Sequence, residues 1–85
     1  MKTITISKKE RDAILESIAI DESILKKIRL AQVEGKSFTF SLDEEDYEDF
    51  LDGLASEINH SKDEKREELL DALMDRLDDG LEEYQ

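Results

Sequence analysis

Hydrophobic and polar positions follow two periods along the chain, and each period predicts one kind of element. Apolar and polar residues alternate in Thr3–Ile6, and Ser37–Ser41 repeats the alternation with Phe38 and Phe40 on one face. Alternation of this kind, with β-branched or aromatic side chains, is typical of a half-buried β-strand. Elsewhere the apolar residues recur every three or four positions, which predicts amphipathic helices.

Serine–glutamate pairs mark the predicted starts of three helices. In such a capping box the serine oxygen accepts from a backbone N–H of the first turn, and the glutamate reaches back to the N–H of the serine. Asp21 is expected to cap a further helix. The three boxes are Ser7 with Glu10, Ser41 with Glu44, and Ser61 with Glu64.

Four helices follow from these starts, over about 8–19, from Asp21 to about 34, over about 42–58, and from Ser61 onward. Gly35 is predicted to end the second helix in the left-handed C′ position. Gly53 lies inside the third apolar stripe, which continues past it and therefore predicts close packing rather than a break. The residues that form the apolar faces of these four helices are Ala13, Ile14, Leu15, Ile18, Ile24, Leu25, Ile28, Leu30, Ala31, Tyr47, Phe50, Leu51, Leu54, Ala55, Ile58, Leu69, Leu70, Leu73, Met74, Leu77 and Leu81.

The order of these elements predicts a single α+β domain over residues 1–85, with the topology β-α-α-β-α-α. Two hairpinned helices between the strands predict two short antiparallel strands, with four helices packed on one face and a polar face open to water. The repeated order could reflect duplication, but the apolar positions after Ser7 and Ser41 differ by two residues. That difference rotates a helix face by about 200°, so we favour convergence on the same junction.

The net charge and its distribution restrict the possible functions more than the residue composition does. The 85 residues contain no cysteine and no proline and carry a net charge of −12. Residues 1–36 carry +2 and residues 37–85 carry −14. A surface this acidic repels nucleic acid and anionic membranes. The N-terminus lacks the apolar segment of a signal peptide, so we expect a cytoplasmic protein.

Candidate catalytic chemistry is sparse in this sequence, which predicts a protein without enzymatic activity or cofactor. His60 is the only histidine, and neither a phosphate-binding loop nor a dinucleotide fingerprint is present. Glu57 and His60 match the E-x-x-H spacing of di-iron sites, but one motif needs a second from another chain. The acidic run 43–52 lacks the glycine and final glutamate of a calcium loop, so only weak divalent-cation binding is left open.

Two function classes remain, and the first is a small acidic interaction module. The last predicted helix either folds back across the whole domain or has an apolar stripe that continues beyond the reach of so small a core. Leu77, Leu81 and Tyr84 would then form a contact with a second copy or another protein. The strand edges are a second candidate, because pairing across a two-fold axis extends a sheet.

The second class is a nucleic-acid mimic that occupies the basic groove of a DNA- or RNA-binding protein. Carboxylates at i, i+3 and i+4 spacing form rows along one helix face. Such rows could imitate phosphates without any direct contact with nucleic acid. The residues of the two rows are Glu45, Asp49 and Asp52 on the third helix, and Glu68, Asp71, Asp75 and Asp79 on the fourth.

Overall fold

The computed structural model describes residues 2–82, with side chains described for residues 2–77, and the fold is α+β. The predicted class is confirmed, but the sheet has three strands instead of two. The described elements are β1 (Lys2–Ser7), α1 (Lys8–Leu15), α2 (Glu22–Arg29), β2 (Gln32–Glu34), β3 (Ser37–Leu42), α3 (Glu44–His60) and α4 (Glu64–Glu82).

The sheet is antiparallel, with β3 between β1 and β2. The two predicted strands pair as their alternation indicates, because Ile4 lies opposite Phe40 and Ile6 opposite Phe38. Their other face is polar: the hydroxyls of Thr5 and Thr39 lie 3.3 Å apart, and so do those of Thr3 and Ser41. One face of the sheet is therefore available to the helices.

The hydrophobic core lies on that apolar face. The rings of Phe40 in β3 and Phe50 in α3 meet edge to face, with 6.0 Å between their centres. Fully burying one large apolar side chain contributes about 1.5–3 kcal/mol, so this cluster dominates the stability of the fold. The buried apolar residues are Ile4, Ile6, Ala13, Ile14, Ile20, Ile24, Leu25, Ile28, Phe40, Leu42, Tyr47, Phe50, Leu54, Leu70 and Leu73.

The third strand corrects the predicted length of the second helix. α2 begins after the expected cap, Asp21, whose carboxylate accepts from the N–H of Ser23 at 2.9 Å. The helix ends at Arg29 rather than near residue 34, because β2 pairs with β3 there. Gly35 has the predicted positive φ, +63°, but it forms the hairpin turn between these strands instead of a helix C-terminus.

The first helix is also shorter than predicted, and two side chains expected in the core are exposed. α1 ends at Leu15 rather than near residue 19. Ile18, in the segment after the helix, is 96% exposed, and Leu30, at the end of α2, is 76% exposed. The prediction from helical periodicity that Ile18 and Leu30 are buried is therefore wrong, because neither residue lies within a helix.

Two of the three predicted serine caps are wrong. Ser7 and Glu10 form the complete capping box at the start of α1. At α3, however, Asp43 is the N-cap and accepts from the N–H of Asp46 at 2.7 Å, since β3 continues through the predicted cap at Ser41. At α4 the Asp63 carboxylate accepts from the N–H of Lys65 at 3.0 Å. The predicted cap there, Ser61, instead hydrogen-bonds to the backbone of Asp63.

Gly53 allows α3 to pack closely against the segment that joins α1 to α2. A Cβ at this position would lie 2.8 Å from Cγ1 of Ile20 and 3.2 Å from the carbonyl oxygen of Ala19. The helix continues without interruption through the glycine. The predicted close approach is therefore present, although the partner is an irregular segment and not a second helix.

The reassigned cap of α3 can be tested by alanine substitution. Asp43→Ala should destabilise the protein by about 1 kcal/mol, because the N–H of Asp46 loses its acceptor. Ser41→Ala should cost much less, since that hydroxyl contacts only Thr3 on the exposed face. Urea denaturation measures both, and Asp43→Asn, which keeps an acceptor, is the matched control. Equal costs at Asp43 and Ser41 would contradict the reassignment.

The packing at Gly53 predicts that an otherwise helix-favouring substitution is harmful. Alanine has a helix propensity about 1 kcal/mol better than that of glycine, but its methyl group would overlap Ile20. We expect Gly53→Ala to lower the free energy of unfolding by about 1–3 kcal/mol, as overpacking does. Asp52→Ala, at the exposed neighbouring position, is the control and should be nearly neutral. A stabilised Gly53→Ala protein would show that the connecting segment yields easily.

Candidate interaction surfaces

Arg76 of α4 fixes that helix to the junction between β1 and α1. Its two terminal nitrogens donate to the two carboxylate oxygens of Glu10, at 3.1 and 3.0 Å. One of them also donates to the carbonyl oxygen of Thr5, at 3.1 Å. Glu10 is 5% exposed and at the same time accepts from the N–H of Ser7. The buried carboxylate is therefore fully used in holding two helices and a strand together.

Arg66, near the other end of α4, forms a second attachment around the end of α1. It donates to Glu57 of α3 at 3.1 Å, to the hydroxyl of Ser17 at 2.9 Å and to the carbonyl oxygen of Ala13 at 3.2 Å. The other oxygen of Glu57 accepts from the N–H groups of Ile18 and Ala19, at 2.7 and 2.9 Å. This network fixes the connection between α1 and α2, and it explains why α1 stops early.

Both buried glutamates are held in the ionised form. Burial alone would raise the pKa of Glu57, but the N–H groups of Ala19 and Ile18 together with Arg66 outweigh it and lower the pKa below 4.5. Burial likewise opposes ionisation of Glu10, whose pKa is lowered by Arg76 and by the backbone N–H of Ser7. The physical cause is hydrogen bonding to the charged form.

The acidic rows lie on the outer faces of α3 and α4. Asp49 follows the buried Tyr47 by two residues, and Asp75 follows the buried Leu73 by two, a rotation of about 200° in each case. Within residues 2–77, no member of either row takes part in an ion pair. Asp79 lies outside the described side chains. The exposed members are Glu45, Asp49, Asp52, Glu68, Asp71 and Asp75.

The predicted apolar contact at the end of α4 is described only at its first residue. Leu77 is partly buried against the core, and its carbonyl oxygen accepts from the hydroxyl of Tyr47 at 3.2 Å. Part of the Leu77 side chain is therefore already buried within the fold. The side chains of Leu81 and Tyr84 lie outside the described part, so self-association through this end of the helix stays a prediction.

The E-x-x-H spacing does not bring two ligands together in this chain. Glu57 is occupied by Arg66 and by backbone N–H groups, as described above. His60 lies in the last turn of α3, where Nδ1 is 2.8 Å from the carbonyl oxygen of Ser56. Among the side chains described here, no group of three or more histidine, aspartate or glutamate residues is arranged to hold a metal ion.

The two edges of the sheet differ in exposure, and the sequence analysis missed one of them. β1 forms one edge, and Arg76 covers its backbone at Thr5. β2 forms the other, and all three of its residues are exposed, including Val33 at 62%. A two-residue turn with glycine first, between residues rich in β-branched and aromatic side chains, is a hairpin signal that could have revealed β2.

None of the helices in residues 2–82 is long and apolar enough to cross a membrane. No protein-family model matches the sequence, and comparisons with curated proteins and with solved structures give no match either.

The lowered pKa of Glu57 predicts a defined pH dependence of stability. Glu57→Gln should destabilise the protein by several kcal/mol above pH 4.5, because it leaves Arg66 without its buried partner. A depressed folded-state pKa adds stability that is complete above the unfolded value of 4.5 and is lost as the pH falls through the lower folded value. The difference between wild type and Glu57→Gln should therefore shrink on acidification, as urea denaturation from pH 7 to pH 3 would measure.

The matched control for this experiment is Glu68→Gln, which removes one charge from an exposed position of α4. That change should cost little throughout the pH range. Relief of self-repulsion on acidification affects both variants alike, so it cancels in the comparison. A Glu57→Gln difference that is constant down to pH 3 would contradict the ionised, hydrogen-bonded state of this residue.

Proposed function

We propose that the protein is a small non-catalytic interaction module that binds a basic protein through the acidic outer faces of α3 and α4. The partner class that fits best is a DNA- or RNA-binding protein whose basic groove is occupied in place of nucleic acid. We further propose a cytoplasmic location, in keeping with the absence of cysteine.

One observation supports this proposal: neither arginine of α4 pairs with a member of its acidic row, and Lys65, the other basic residue of the helix, forms no ion pair within residues 2–77. Arg66 and Arg76 are both engaged with buried carboxylates at Glu57 and Glu10. The six exposed acids in the described part of the two rows have no ion-pair partner there. Arginines placed at i+3 or i+4 from these acids would have cancelled the charge locally. Because Arg66 and Arg76 pair with Glu57 and Glu10 instead, the row keeps its negative charge, which supports binding to a basic surface.

The spacing of the acids supports a partner that normally binds a polyanion. Steps of three and four residues along a helix separate carboxylates by about 4.5–6 Å along its axis, while phosphates of one DNA strand advance about 3.4 Å. A row of charges at such intervals presents a continuous negative potential to a groove. Steering by that potential raises association rates, and salt suppresses the effect.

The proposal predicts binding that depends on these rows and on ionic strength. Immobilised protein should retain a basic partner from an extract of its native host, and the triple change Asp49→Asn, Asp52→Asn and Asp75→Asn should abolish retention. The matched control is Asp12→Asn, Glu16→Gln and Glu22→Gln, which removes the same charge from exposed positions on and beside α1 and α2. Retention by the control but not by the row variant is the expected result.

Two further measurements separate a mimic from other acidic modules. Screening shortens the Debye length from about 10 Å at 0.1 M salt to about 3 Å at 1 M, so the association rate should fall steeply over that range. Duplex DNA or RNA added in excess should displace the module from its partner. Equal retention by both triple variants, or retention insensitive to salt, would contradict the proposal.

A further inference from the structure

We propose that two copies of the chain associate through β2, whose exposed edges pair about a two-fold axis at Val33 to form one six-stranded antiparallel sheet. This inference is independent of the acidic surface and concerns the opposite edge of the sheet from α4. Three features of geometry and charge favour a second copy of the chain as the partner that binds at this edge.

The first reason is the direction of the backbone groups of β2. Gly35 opens the two-residue turn to β3 with a φ of +63°, as the first central position of a type II′ turn requires. Glu34 and Ser37, which flank such a turn, form a hydrogen-bonded pair, and the pairs then alternate. The next residue, Val33, therefore directs its N–H and C=O away from β3, toward the open edge.

The opposite edge of the sheet confirms this alternation. Thr39 of β3 lies two residues beyond Ser37 and so directs its backbone groups toward Gln32 in β2. Thr5 of β1 lies opposite Thr39 on the other side of β3. The backbone N–H and C=O of Thr5 must then point away from β3, toward the open side of β1. The carbonyl oxygen of Thr5 does point outward, since it accepts from Arg76 at 3.1 Å.

The second reason is that outward backbone groups of β1 already have side-chain partners at Thr5 and Ser7, whereas no side-chain hydrogen bond to the backbone of β2 is found within residues 2–77. Arg76 occupies the β1 edge, and Glu10 takes the outward N–H of Ser7. Within residues 2–82, β3 is the only element against which β2 packs extensively. β2 also lacks proline, lysine and a bulge, the usual features that keep an edge strand from pairing.

The third reason is the self-complementarity of the sequence Gln32-Val33-Glu34. With Val33 opposite its own copy, each Val33 N–H donates to the other Val33 carbonyl. The same register sets Gln32 of each copy opposite Glu34 of the other, so that an amide N–H can donate to a carboxylate. A shift of two residues toward the turn would instead oppose two Glu34 side chains, and like charges at that position are unfavourable.

The charge distribution permits this contact in spite of the net charge of −12. β2 belongs to the segment 1–36, which carries +2, and α4 with its acidic row lies beside the β1 edge. Pairing at β2 therefore keeps the two copies of α4 apart. Because the copies as a whole still repel, salt should strengthen the dimer, whereas it should weaken binding to a basic partner.

Sedimentation equilibrium over a wide range of concentrations tests the proposal. The wild type should form a weak, concentration-dependent dimer, as expected for a small interface, and added salt should tighten it. Val33→Pro removes the N–H that the dimer needs but that β3 does not use, so the monomer should stay folded, as circular dichroism and the melting temperature would show. Val33→Thr keeps the N–H and a β-branched side chain, and it should still form the dimer.

Charge at Gln32 gives a second readout that does not depend on the proline variant. Gln32→Lys should tighten the dimer and Gln32→Glu should weaken it, each by roughly three- to tenfold for the two symmetric pairs. A wild type that is monomeric at every concentration would overturn the proposal. So would a dimer that survives Val33→Pro, or one that is insensitive to both changes at Gln32 and is lost in Leu77→Asp with Leu81→Asp.

Discussion

The arrangement of this protein depends on two arginine–glutamate pairs that fix α4 across α1. Arg66 pairs with Glu57 at one end of α1, and Arg76 pairs with Glu10 at the other. Arg66 and Glu57 are both largely buried, and removing one partner of such a pair costs about 3–5 kcal/mol, a large share of the roughly 5–15 kcal/mol by which a small protein is stable. The Arg76 side chain is 53% exposed, so its pair with Glu10 contributes less. The backbone bonds that these groups also make extend their effect to β1 and to the connection after α1.

The same pairs determine the surface charge. The two arginines of α4 pair with Glu57 and Glu10, and the acids on its outer face have no ion-pair partner within residues 2–77. The carboxylates of this acidic protein are therefore of two kinds: Glu10 and Glu57 are buried and hold the fold, whereas the members of the rows are exposed and have no ion-pair partner within residues 2–77. A count of charges alone does not distinguish these roles, since all of them contribute equally to a net charge of −12.

The two edges of the sheet follow from this arrangement as well. α4 brings Arg76 to the carbonyl oxygen of Thr5 at the β1 edge, while all three residues of β2 are exposed, including Val33. One small sheet thus has one protected edge and one open edge. The acidic helical surface and the open edge are separate, so a second copy and a basic partner could be bound at different places.

Several parts of the fold could be predicted from the sequence because they depend on neighbouring residues. Alternation in β1 and β3 gave the apolar face of each strand, apolar stripes gave four helices, and the caps at Ser7 and Asp21 act within three residues. The acidic rows were also recognisable, since spacing along a helix places their members on one face. The end of α1 was not predictable in this way, because it depends on Glu57, which is 39 residues from Ile18 in the chain.

The sequence by itself therefore determined the strand and helix periodicity, the α+β class and the acidic outer faces. Only the tertiary structure decided where α1 and α2 end, which carboxylates are buried, and which sheet edge is open. The physical reason is the separation along the chain of the residues that interact. Periodicity and capping act over a few residues, whereas Arg76 reaches Thr5 across 71 positions, and a hydrogen bond of that kind exists only after the chain has folded.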